Sequence, residues 1–247
     1  MSIEARPAMN LAISGPCADV ALRAAQRARP KISAEIEIES ALPRHMGLGA
    51  DLMMTEAIND VLARVSGAVS SPSQTVAGHA FAQGGLIFVN EGGALLRRST
   101  LEHDDTNAWV FVLLLPTPPD DTSDTLESAR AQSLLGAAPD HDLGALFVAA
   151  DGNNFDGFIA ALHAMRDAQA SSLRTFVAPA ELAQYVQLLE AQNTPFTSVT
   201  ATGYGMFALT HGAPASRAVR HGLKQTLGYG GPIVLGSICD NSGVQRK

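Results

Sequence analysis

An alternating strand that empties through a glycine-rich loop into a long helix is the strongest constraint on what this chain can become. Ile32, Ala34, Ile36 and Ile38 alternate with Ser33, Glu35, Glu37 and Glu39, the period-two pattern of a strand with one face in water. The loop ALPRHMGLG follows. From residue 50 onward Met54, Ile58, Val61, Leu62 and Val65 recur at helical spacing, which predicts a helix over 50–65 with one apolar stripe. Gly67 and the SSPS run at 70–73 end it. Glycines in such a loop let the backbone approach a ligand, and the amides and dipole of the first helical turn attract an anion. A tight turn uses the same residues, so the loop by itself leaves both uses open.

Beyond the helix, residues 86–90 read as a buried strand between two glycine pairs, Gly84-Gly85 and Gly92-Gly93. The polar stretch 97–107 reads as a junction, dividing the chain into an N-terminal half at 1–105 and a C-terminal half at 106–247. Residues 109–115 form a continuous apolar strand, ended by Pro118 and Pro119. Helices are expected near 123–135, 141–150 and 153–170. A strand at 174–178, a helix at 179–192, a strand pair over 196–210, a helix at 214–227 and a strand at 232–238 complete the pattern. Strands and helices in this order predict an α+β protein with helices on one face of a small sheet.

Charge narrows the partners. The 247 residues carry 17 Lys and Arg against 24 Asp and Glu, a formal charge of −7. No basic field exists to hold nucleic acid, and an anionic membrane would repel the chain. Polyanions must be held locally, by amides and a few cations. The longest apolar run, 108–115, is too short to span a bilayer. Cys17 and Cys239 make neither a metal-ligand spacing nor a disulfide framework, and the start lacks a secretory pattern. The expectation is a soluble cytoplasmic protein. No complete Walker A loop, HExxH, CxxC or GxSxG is present in the sequence.

The segment Pro43-Arg44-His45-Met46-Gly47-Leu48-Gly49 resembles the second motif of the GHMP kinase superfamily, a proline, three residues, then GLG opening a helix. With His45 ahead of the GLG, it is most similar to the superfamily's β-ribofuranosylaminobenzene 5′-phosphate synthase branch, whose members are not kinases. TVAGHAFAQGGLIFVNEGG, AWVFVLLLP, FTSVTATGYGMFAL and LGSICDNSGV resemble later segments of that branch in the same order, and PAMNLAISG resembles the first motif. The resemblance implies a GHMP-type fold, with an N-terminal half like the second domain of ribosomal protein S5 and a ferredoxin-like C-terminal half. It places the site between the halves and implies a homodimer.

It also implies a transferase activity: phosphoribosyl pyrophosphate condenses with a 4-hydroxy- or 4-aminobenzoate, an early step of tetrahydromethanopterin biosynthesis in one-carbon metabolism. On that resemblance His45 and Asp51 are the catalytic candidates. Arg44, Gly47, Leu48, Gly49, Ala50, Gly84, Gly85, Thr200, Thr202 and Gly203 are the substrate- and phosphate-binding ones. Asp51 either caps the first helical turn or holds Mg2+ against the phosphate.

The sequence departs from the pattern at several positions. Ala50, Asp51 and Leu52 stand where small hydroxylated residues or glycine follow the GLG. Gln83 and Asn90 replace acidic residues, and Thr200 to Gly203 replace a serine-rich loop. Two further readings therefore stay open: a small-molecule ATP kinase of the same superfamily, and a divergent paralogue that binds a pathway intermediate or partner without catalysis. His103 with Asp104 and Asp105 has the look of a metal cluster but reads more simply as a solvated linker, and His79 is a further candidate near the site.

Overall fold

The computed structural model describes residues 1–28, 33–90, 93–117, 143–176, 180–200, 204–228 and 230–245. They form two compact units: Met1–Arg44, Gly49–Leu96 and Ser242–Lys247 make the first, His45–Leu48 and Arg97–Asn241 the second.

In the first unit, β1 (Ser2–Pro7), β2 (Ala12–Ser14) and β3 (Ala34–Ser40) form a sheet in the order β1-β3-β2. The alternation carries through to burial: Ala34, Ile36 and Ile38 are buried while Glu35, Glu37 and Glu39 face water. β1 lies antiparallel to β3, with Ile3 opposite Ile38, and β2 runs parallel to it, with Ile13 opposite Ile36. A parallel neighbour needs a crossover, and α1 (Ala18–Ala28) lies in the chain between β2 and β3. Neither β1, β2 nor α1 stood out in the sequence. The stripe that α1 buries is Val20, Ala21, Ala24 and Ala25, and alanine gives little hydrophobic contrast to read.

The helix expected over 50–65 is α2 (Ala50–Val65), with Met54, Ile58, Val61 and Leu62 buried against Ile36, Ile38 and the α1 stripe. An unanticipated short helix, α3 (Val76–Gln83), follows. Thr75 caps it by accepting the Gly78 N–H at 3.0 Å. The buried Glu56 carboxylate of α2 holds the approach to that cap, accepting the Ser73 N–H at 3.1 Å and the Ser73 hydroxyl. The strand expected at 86–90 is β4 (Leu86–Val89), which pairs with β5 (Leu95–Ser99). Residues 97–99 of the expected polar junction therefore belong to a strand.

The second unit carries a four-stranded sheet in the order β7-β8-β6-β9, every neighbouring pair antiparallel. Its strands are β6 (Trp109–Leu115), β7 (Phe196–Val199), β8 (Met206–His211) and β9 (Ile233–Ile238). Its helices are α4 (Gly144–Asp151), α5 (Phe155–Phe176), α6 (Ala180–Glu190) and α7 (Ala213–Leu227). Val112 and Leu114 on the central strand stand opposite Ala208 and Met206 on one side and Gly236 and Val234 on the other. With Leu182 and Leu189 of α6 and Val219 and Leu223 of α7 they make one buried cluster. This is the expected sheet with helices on a face. At the start of β6, Trp109 packs against Phe155 and Phe158 of α5, ring centroids 5.5 and 4.9 Å apart.

One expected strand is corrected. Residues 174–176, read as the start of a strand at 174–178, are the last turn of α5. No Gly or Pro interrupts the chain from 158 to 178, and extending a formed helix costs little once it is nucleated. Residues 177 and 178, and the helix expected near 123–135, lie outside the described residues. No helix among the described residues is long and apolar enough to cross a membrane.

Candidate functional site

The loop between β3 and α2 is shaped by left-handed backbone at alternate positions: His45 at φ 62, Gly47 at φ 66 and Gly49 at φ 69. Glycine adopts this conformation without penalty, whereas a residue with a Cβ pays for it. Gly49 is the residue at the N-cap of α2, and as a glycine it contributes no side-chain cap. Its carbonyl accepts the first helical bond from Met53 at 2.9 Å. The amides of Ala50, Asp51 and Leu52 thus form the first turn, where backbone donors and the positive end of the dipole favour an anion.

Met46 fixes the other end of the loop. Its side chain is buried in the hydrophobic cluster of the second unit, with Leu48 packed against the same cluster. The Thr200 hydroxyl, on the connection from β7 to β8, donates to the Met46 carbonyl at 2.5 Å and accepts the Gly205 N–H at 3.1 Å. Gly205 must be glycine for this approach, since a Cβ there would stand 2.9 Å from the Met46 carbonyl oxygen. Thr200 is therefore a buried clamp on the loop backbone. Thr200→Val, which keeps the shape and removes the hydroxyl, is expected to cost about 2 kcal/mol because it strands buried polar groups. A urea midpoint indistinguishable from the wild type would contradict that role.

Arg44 provides the local charge. Its Nε meets Asp51 Oδ1 at 2.9 Å and its Nη2 meets Asp51 Oδ2 at 3.0 Å, a two-pronged pair, while Nη1 stands 3.6 Å from Asp19 Oδ2. Asp51 lies in the first turn of α2 and Asp19 in the first turn of α1. Burial alone would raise the Asp19 carboxyl. The Val20 N–H, Arg44 and Arg23 outweigh it and hold the group below its ordinary value. Its stabilising effect is present above the ordinary carboxylate range and fades as acid protonates it. Burial pushes the Cys17 thiol up, and the nearby Arg44 opposes this only in part.

Of the residues singled out in the sequence, Arg44, His45, Gly47, Leu48, Gly49, Ala50 and Asp51 are thus consecutive parts of one loop and helix end. Thr200 touches that loop through Met46. Gly84 and Gly85 form the turn from α3 into β4, both at positive φ, and Thr202 and Gly203 lie outside the described residues. His79 is buried, its Nε2 3.1 Å from the Gly93 carbonyl. Asp104 accepts the N–H groups of Thr106 and Asn107 at 2.8 and 2.9 Å, which makes it a turn former, and His103 meets the Cys239 carbonyl at 2.5 Å. Among the described residues no group of three or more His, Cys, Asp and Glu is arranged to hold a metal ion. Both Asp51 oxygens face Arg44, so in this arrangement the carboxylate is paired with the guanidinium.

Asp19 and Cys17 are the site neighbours that sequence reading missed. Their only signal is their place just after the PAMNLAISG segment, at the start of a helix that was itself illegible. A cavity of about 870 Å3 also opens in the first unit, walled by β1, α2 and the C-terminal tail, with Glu4, Glu39, Asp60 and Arg64 in its lining. Asp60 is eleven residues beyond Gly49 along α2, about 16 Å of helix, so this cavity is not the loop.

No family model matches the chain, and no curated protein is detectably similar to it in sequence. Solved structures are similar in fold. A Listeria monocytogenes protein assigned as a homoserine kinase superposes with a TM-score of 0.63 at 14% identity, over 98% of this chain and 86% of that one. Mevalonate kinase from L. major, solved with R-mevalonate, gives 0.61 at 14% identity over 98% and 86%. Mevalonate pyrophosphate decarboxylase from Streptococcus pyogenes gives 0.59 at 11% identity over 97% and 83%. These neighbours are members of the GHMP kinase superfamily, and the α+β fold of this chain is theirs.

Proposed function

We propose that the chain is a phosphoribosyl-transferring synthase built on the GHMP fold. Phosphoribosyl pyrophosphate is the donor, and a 4-hydroxy- or 4-aminobenzoate is the acceptor. The observation that carries this reading is the loop: left-handed turns at Gly47 and Gly49 lead onto a helix whose N-cap residue is a glycine, beside the fixed guanidinium of Arg44. That combination suits a pyrophosphate, and the sequence resemblance supplies the reaction.

In the transfer a carbon–carbon bond forms between ribose C1 and the ring carbon bearing the carboxylate. Pyrophosphate departs with the electron pair of the C1–O bond. The carboxylate leaves as carbon dioxide and returns its bonding pair to the ring, so no oxidant or reductant is needed. Such a step calls for stabilisation of the departing charge rather than for a protein nucleophile. The amides from Gly47 to Asp51 supply donors, Arg44 supplies fixed positive charge, and His45 supplies a proton or charge to the leaving group. Thr200 acts by holding Met46, and with it the loop. Gly84, Gly85, Thr202 and Gly203 stay in the proposed set on the resemblance. Magnesium, which is commonly bound through substrate phosphates and few protein groups, belongs with the donor rather than with Asp51.

A second reading rests on its own observation. Asp51 stands where hydroxylated residues follow the GLG in the family pattern, and it sits on the one loop arginine, which suits a protein that binds a pathway intermediate without turnover. A kinase is disfavoured by Ala50 and Asp51 at these positions, although the fold accommodates both kinases and a decarboxylase.

Incubation with phosphoribosyl pyrophosphate and carboxyl-labelled 4-hydroxybenzoate separates the three. Labelled carbon dioxide that needs both substrates supports the synthase. Donor binding without release supports the second reading, and phosphoryl transfer from ATP would overturn both.

A further inference from the structure

The Arg44 guanidinium directs all three of its nitrogens toward carboxylates, Nε and Nη2 to Asp51 and Nη1 to Asp19. The two sides of this cluster differ in exposure. Arg44's side chain is 24% exposed, Asp51's 38% and Asp19's 56%. The cation is thus the embedded member, and the anions lie toward solvent. A guanidinium fork takes a carboxylate or a phosphate in the same planar two-bond geometry. Asp51 consequently occupies the place on Arg44 that two phosphate oxygens would take, at the end of the helix whose first turn favours an anion.

Resting on the reading of the loop as a phosphate site, we propose that Asp51, backed by Asp19, is an internal stand-in for the ligand's phosphate, and that Arg44 is handed from Asp51 to the ligand on binding. The pair sets selectivity. A single phosphate that takes the fork leaves the displaced Asp51 charge beside it and gains one new pairing. A pyrophosphate group that takes the fork has a second phosphate left for the amides of the loop. The favoured ligand class is therefore the diphosphates and their esters over monophosphates. The hand-over conserves charge pairing at Arg44, and no bond is made or broken.

The test is calorimetric titration of the full chain with inorganic pyrophosphate and with inorganic phosphate, in the wild type, Asp51→Asn, Asp19→Asn and Arg44→Lys. Asp51→Asn, which keeps size and removes charge, is expected to tighten pyrophosphate about tenfold and phosphate by at least as much, so that the discrimination narrows. Asp19→Asn should tighten both by about threefold, since it is the longer and more exposed contact. Arg44→Lys, which cannot form the fork, should weaken pyrophosphate about tenfold. Asp51→Ser, with a small residue suited to a helix start, repeats the first comparison should Asp51→Asn fold poorly. Wild-type binding that Asp51→Asn and Asp51→Ser leave unchanged or weaken would overturn the stand-in while leaving the phosphate loop intact. Pyrophosphate binding that appears only in the Asp51 variants would overturn the hand-over, because Asp51 would then block the loop rather than give up Arg44. Absence of binding in every folded variant would overturn the phosphate loop itself, and the stand-in with it.

Discussion

Gly49→Asp should abolish binding of a phosphorylated ligand while leaving the protein folded. Gly49 sits at φ 69, and a Cβ built there meets nothing within 4 Å, so the side chain has room. Aspartate is among the residues that tolerate left-handed backbone. The strain of about 1 kcal/mol is offset in part by about 0.5 kcal/mol from a negative charge at a helix start. The unfolding free energy should therefore change by no more than about 1 kcal/mol. Binding has no such compensation, because the new carboxylate stands over the amides that the ligand would use and repels its charge. A loss of at least about 100-fold in affinity is expected, equal to two charge-assisted hydrogen bonds of modest strength. Calorimetry paired with a thermal melt separates the two effects. Unchanged affinity in a folded Gly49→Asp protein would remove the anion site from the loop.

The largest effect on stability is expected at Trp109, the first residue of β6. Trp109 is 1% exposed and rests edge-on to Phe155 and tilted against Phe158. Trp109→Ala should cost about 4 kcal/mol, the transfer term plus the cavity. Among the described residues its buried indole Nε1 has no hydrogen-bond partner, and such a group subtracts from the benefit of burial. Trp109→Phe removes that donor and keeps a ring between the two phenylalanines. It should cost less than half as much as the alanine variant. Urea unfolding followed by far-ultraviolet circular dichroism measures both, and the slope should stay unchanged if the unfolded states match. Equal costs for the two variants would show that the indole's full volume, rather than ring packing, holds this corner of the sheet.

What the sequence reveals depends on whether an element is specified by its own side chains or by distant ones. Strand β3 and helix α2 were legible because Ala34, Ile36 and Ile38 and then Met54, Ile58 and Leu62 follow the two backbone periods, and one face of each is buried. The central strand β6 was legible because none of its residues from Trp109 to Leu115 is exposed, which leaves a continuous apolar run. Helix α1 was hidden, since its buried stripe is mostly alanine, and α3 was hidden because its start depends on Thr75, Ser73 and a carboxylate from α2.

The candidate loop was legible as a glycine pattern, and its backbone does take left-handed turns at Gly47 and Gly49. Its two clamps were not. Thr200 lies 154 residues from Met46 in the chain, and no local pattern announces such a bond. The Arg44–Asp51 fork closes over seven residues, across a strained loop with no helical or strand period to predict which side chains meet. Asp51 read as a helix cap or a metal ligand because the sequence shows its neighbours in the chain, and Arg44 becomes its neighbour in space only when the loop turns at His45, Gly47 and Gly49.

The proposed occupant of this loop is a pyrophosphate-bearing sugar. Titration of the wild-type chain with phosphoribosyl pyrophosphate, with and without magnesium and beside ATP, tests it most directly. The expected result is saturable binding of phosphoribosyl pyrophosphate, tighter with magnesium, and no comparable heat from ATP. Silence toward both ligands, or binding of ATP alone, would contradict it.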